Sequence, residues 1–179
     1  MIKFYSFLFA ALLLFTISAN AQLYPASLEF FNGEIKQGYI EMPTPTSKKI
    51  EYSTSPDGPV IKIKTELVSA ITVKKGEALI EIDNIQTYGT NYSLLMAKLV
   101  KGKVNVYAFE RTGQLAGLVI YHVKRANEEK ATRFRSLKYK EDMIKYFEDD
   151  PVLVKYIQEN SAMTVATELL DIVRTYNSR

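Results

Sequence analysis

Between Ser27 and about Arg125 apolar residues come in short runs alternating with polar ones, whereas from Leu137 onward they recur every third or fourth residue. This change of period constrains the fold strongly. Side chains at period two line one face of a strand, and those near 3.6 form one stripe of a helix. The chain is therefore expected to be α+β, with an N-terminal antiparallel β barrel or sandwich followed by about three C-terminal helices. The β-rich body takes residues 22–136, and the helical segment, packed on the same domain, takes 137–179.

Turn residues place the strands. Leu28-Glu29-Phe30-Phe31 runs into Asn32-Gly33 before Ile35 to Met42, which predicts a hairpin with a type I′ turn. Ile50 and Tyr52 alternate with polar neighbours, Pro56-Asp57-Gly58 turns the chain, and Val60, Ile61 and Ile63 begin the return. Further strands are expected at 70–74, 78–82, 95–100, 104–109 and 118–125, joined at Gly76, Gly102 and the Arg111-Thr112-Gly113 tip. Pro43-Thr44-Pro45-Thr46 reads as a loop or an edge, since proline cannot donate to a ladder.

Three amphipathic stripes follow: Tyr139, Met143, Tyr146 and Phe147; then Leu153 and Ile157; then Val165, Leu169, Ile172, Val173 and Tyr176. Such stripes pack on a sheet, because isolated helices this short are marginal in water. The functional alternative is a strip, Val165, Leu169 and Tyr176, that docks a partner.

The first 21 residues have a different character. Lys3, an apolar stretch from Phe7 to Ile17 and Ala19-Asn20-Ala21 follow the three-part pattern of a secretory leader, with cleavage expected before Gln22. The apolar stretch is shorter than the ~20 residues needed to cross a bilayer. Beyond it no apolar run is long enough to span a membrane. The chain has no cysteine, which removes disulfides, thiolate metal sites, a cysteine nucleophile and a bacterial lipoprotein anchor together. The expected location is the periplasm or the cell exterior. Without its leader the chain keeps the size of one domain and needs no disulfide to bury a core.

Charge and motifs exclude several functions. The formal net charge of +3 includes the leader's Lys3 and gives little reason to propose a nucleic-acid partner. Lys124-Arg125 and the stretch from Lys130 to Arg135 read as a solvated turn rather than a polyanion site. Neither a G-x-x-x-x-G-K-[ST] nor a G-x-G-x-x-G motif occurs, so no nucleotide cofactor is expected. His122, the single histidine, lacks a nucleophile context and cannot build a histidine zinc site, and it reads as a surface or satisfied residue.

Glu148-Asp149-Asp150 before Pro151 raises the question of a catalytic or calcium site. Asp150 at a helix N-cap with Pro151 at the first helical position explains most of it, whereas Glu148 and Asp149 lie near the negative end of the preceding helix. Lys145 and Lys155 are candidates to relieve that mismatch; a calcium loop is disfavoured because the stretch has no glycine or EF-hand spacing. No metal or catalytic residue is assigned. A pair of carboxylates acting as a hydrolase of a glycan or peptidoglycan is the alternative function. A small apolar ligand inside the β body is a third, and the numerous tyrosines are as compatible with a core as with glycan binding.

The segments NGEIKQGYIE, LVKGKVNVYAF, YFEDDPVL and DIVRTYN together resemble small uncharacterised exported proteins of Bacteroidota-type bacteria. In such sequences a cysteine often precedes the proline, at the position of Asp150 here, so any role of that cysteine does not carry over. The resemblance implies an envelope location, a β-rich body and a helical end, with no biochemical activity attached. The combined expectation is a non-enzymatic exported protein that binds another envelope component, a protein or a glycan.

Overall fold

A computed structural model describes residues 22–111, 117–135, 138–160 and 167–179. Ten strands form one antiparallel sheet: β1 (Leu23–Phe30), β2 (Ile35–Glu41), β3 (Lys49–Ser53), β4 (Ile61–Lys64), β5 (Val68–Lys75), β6 (Ala78–Gln86), β7 (Ser93–Val100), β8 (Val104–Glu110), β9 (Val119–Arg125) and β10 (Thr132–Arg133). Helices α1 (Tyr139–Tyr146), α2 (Pro151–Glu159) and α3 (Thr167–Ser178) follow. The α+β layout is the one the change of period predicts.

The hairpin at Asn32-Gly33 forms with a different turn. The amide of Gly33 donates to the Phe30 carbonyl at 2.9 Å and that of Phe30 to the Glu34 carbonyl at 2.9 Å. Gly33 takes φ of +84°, while among the described residues no non-glycine has positive φ. A type I′ turn would need Asn32 there as well, so the loop is a three-residue connection closed by a left-handed glycine. The expected tip at Arg111-Thr112-Gly113 falls partly on residues 112–116, outside the described ones.

The strand order β10-β9-β8-β7-β6-β5-β1-β2-β3-β4 explains why the first half is curved. Three residues, Thr65–Leu67, carry the chain from β4 to β5, although β3, β2 and β1 lie between those strands in the sheet. Four strand spacings in a flat sheet measure ~19 Å, and so short a connection reaches ~14 Å. The sheet must therefore roll. The amide nitrogen of Asn84 in β6 holds the connection by donating to the carbonyls of Thr65 and Val68, each at 2.9 Å. Leu28, Ile40, Ile50, Ile71 and Val73 fill the roll as one buried cluster. The sheet is not closed, and β4 and β10 are its edges.

A second core lies between the other half of the sheet and the helices. Val104, Val106 and Val123 meet Met143, Phe147, Leu153, Ile157 and Leu169, all essentially inaccessible to water. The end of α3 is fastened to β8: the side-chain oxygen of Asn177 accepts from the Val104 amide at 2.8 Å and its nitrogen donates to the Val104 carbonyl at 2.9 Å. A side chain at Gly102 would strike that amide.

Candidate functional site

The acidic turn between α1 and α2 is built on arginines from distant parts of the chain. Asp150 is the N-cap of α2: its Oδ1 accepts from the Leu153 amide at 2.9 Å, and Pro151 opens the helix. Arg179 donates to both Asp150 oxygens, at 2.7 and 2.8 Å. The Leu153 amide first, and then Arg179, hold the Asp150 carboxyl below the usual carboxylate range.

Asp149 accepts from Arg125 at 2.6 Å through one oxygen and from the Tyr176 hydroxyl through the other. Arg125, at the end of β9, stands over the rings of Tyr146 and Tyr176, 4.7 and 5.7 Å from their centroids, and also donates to the Tyr146 carbonyl. Glu128 completes the cluster by accepting from the Arg125 amide and the Tyr146 hydroxyl, each at 2.8 Å. At Asp149 the mismatch at the end of α1 is thus relieved by Arg125, while Lys155 faces Glu159 on its own helix. Both oxygens of Asp149 and of Asp150 are engaged by protein donors, which suits a brace between helix ends and sheet.

The strip expected to dock a partner is placed differently by the fold. Leu169 is fully buried against the sheet, so it cannot present itself without opening the core. Tyr176 is half-buried, its ring 5.2 Å from that of Phe147 and its hydroxyl bound to Asp149. Val165 lies outside the described residues. Among the described helical residues, the large apolar side chains turned outward are Val152 and Tyr156, 66% and 55% exposed, one turn apart on α2.

These two side chains border a groove of about 380 Å³ between α2 and α3, with Leu153, Glu168, Asp171, Ile172, Thr175 and Arg179 along it. Sequence periodicity could not find this groove. Leu153 and Ile157 alone satisfy the core stripe of α2, and nothing in that pattern says that the neighbouring pair, Val152 and Tyr156, remains uncovered.

On the opposite face of the sheet a polar chain crosses three strands. The Tyr107 hydroxyl donates to Asp83 at 3.0 Å and accepts from Asn105, while the Lys98 ammonium lies 2.7 Å from the same Asp83 oxygen. Burial, and then the Asp83 charge, push the Tyr107 hydroxyl pKa up.

His122 follows in register, paired with Tyr107 on β8 and Arg133 on β10. It is not at the surface: it is 4% exposed, its ring stacks on Phe109 at 5.9 Å, and Nδ1 has no hydrogen-bond partner among the described residues. Burial, reinforced by Arg133, lowers its pKa to about 4, so it is neutral near pH 7. Among the described residues no group of three or more histidines and carboxylates is placed to hold a metal ion, and no helix is long and apolar enough to cross a membrane. No protein-family model, curated protein or solved structure matches this chain.

Proposed function

We propose that this chain is an exported, non-enzymatic binding protein of the cell envelope that engages another envelope component through the groove between α2 and α3. The observation that carries the proposal is the pair Val152 and Tyr156, exposed together along a groove of about 380 Å³ while Leu153, Ile157, Leu169 and Val173 of the same helices are committed to the core. Large apolar side chains grouped beside a concave surface are a common mark of binding. The leader pattern of residues 1–21 and the lack of cysteine support export, and the resemblance to exported Bacteroidota-type proteins supports an envelope location. The most suggestive carboxylates, Asp149 and Asp150, are engaged by Arg125, Tyr176 and Arg179, which weighs against the hydrolase alternative.

The test is cross-linking and affinity capture of the tagged protein from its own envelope, run in parallel with Val152→Glu and Tyr156→Ala. Both positions are solvent-facing, so the variants should keep stability within about 0.5 kcal/mol. A reproducible envelope partner that both variants lose is the expected result. A partner retained by both variants moves the binding surface elsewhere. Turnover of a cell-wall glycan, abolished by replacing one Asp or Glu, overturns the non-enzymatic assignment.

A further inference from the structure

We infer that the groove takes a cationic amphipathic peptide segment, with a Lys or Arg of the partner lying at the end of the groove marked by Glu168 and Asp171. This inference rests on the reading of the groove as the binding surface and adds the chemistry of its occupant. Glu168 to Ser178 is eleven residues of α3, and with Arg179 just beyond its end one wall of the groove runs ~16 Å, three turns of helix. A wall of that length, faced from α2 by Val152 and Tyr156 as the exposed apolar contacts, matches a segment of chain better than a compact metabolite.

Charge then selects the segment. Arg179, the cation at one end of the groove, is already held by both oxygens of Asp150. At the other end Glu168 makes no ion pair among the described residues; its Oε2 is buried with no hydrogen-bond partner among them, and its charge acts on the Tyr139 hydroxyl. Among the described residues Asp171 meets only Arg174, at 3.1 Å between two exposed side chains, a pairing that water screens heavily. The end carrying Glu168 and Asp171 therefore bears net negative charge next to apolar walls, where screening is weaker than in open solvent. A Lys or Arg whose alkyl stem lies along the exposed Tyr156 would meet both features at once.

The experiment titrates the purified protein, observed by amide NMR, with three synthetic amphipathic peptides of equal length and identical leucine stripe, flanked by Lys, Gln or Glu. The Lys peptide should shift the resonances of Val152, Tyr156 and Ile172 and bind at least about tenfold more tightly than the Gln peptide at low salt. Glu168→Gln should shrink that preference, as should added salt, and Tyr156→Ala should weaken every peptide. If Glu168→Gln does not fold, Asp171→Asn supplies the same comparison. Equal groove binding by the Lys and Gln peptides overturns the cationic occupant and leaves the groove as the binding surface. Shifts at the groove with no peptide but with a second copy of the chain, seen as dimerisation that Val152→Glu abolishes, overturn it in favour of self-association. No groove shift under any condition overturns both the occupant and the groove.

Discussion

Arg125 at the end of β9 and Asp149 in the turn after α1, 24 residues apart, form a 2.6 Å bond whose cationic side is enclosed by Tyr146 and Tyr176. That bond, with the Arg125 bond to the Tyr146 carbonyl, ties the sheet to the point where the helical layer changes direction. Arg125→Ala removes both bonds and the packing of the guanidinium on two rings. It should lower stability by about 2 kcal/mol in urea unfolding, and Arg125→Lys should recover less than half, because an ammonium cannot stack and bond in the same plane.

Asp150→Ala should lower the melting temperature measurably, since it removes the cap of α2 and the partner of Arg179. Asp150→Asn should recover part of the loss, because an asparagine oxygen still accepts from Leu153. Added calcium should leave all three melting curves unchanged; a strong calcium-dependent rise would identify a metal site in the turn.

His122 makes stability depend on pH in a stated direction. Its folded pKa of about 4 lies below the ordinary 6.5, so below pH 6.5 the unfolded chain takes up a proton that the folded chain refuses. The contribution is fully present above pH 6.5, falls as pH drops and levels off below 4, amounting to about 3 kcal/mol. Urea unfolding from pH 7.5 to 4 should show this slope. Its persistence in His122→Leu would assign the effect to other groups.

Asn177→Ala should cost about 1–2 kcal/mol, since the backbone of Val104 loses a donor and an acceptor together. Hydrogen exchange gives a local check. The Val104 amide should lose protection well before the amides of Val106 and Val123, and equal protection in both proteins would show that the pairing is dispensable.

Much of this architecture can be read from residue order. The strands starting at Ile35, Ala78 and Val104 and the helix opening at Pro151 sit where alternation, turn residues and capping chemistry place them. β10 leaves no such mark, because Thr132 and Arg133 show no period of their own; their pairing with Val123 and His122 defines them. Leu169 shows a related limit. A stripe such as Leu169 and Tyr176 identifies an apolar face, but whether sheet or solvent meets it depends on the strands across from it. Arg125 illustrates the same limit for charge. Beside Lys124 it looks like part of a solvated basic turn, and only the fold brings Asp149, Tyr146 and Tyr176 around it.

The short passage from β4 to β5 has one more implication. Curvature in the first half of this sheet is imposed by a tether that is too short, held by Asn84, and so it behaves as an imposed boundary condition rather than a preference of the strands themselves. Inserting a few flexible residues after Glu66 would add little loop entropy, yet it would release the constraint that brings Ile63 and Val68 into the same core as Leu28. The shape of the roll is thereby adjustable at a single surface connection, without altering any strand.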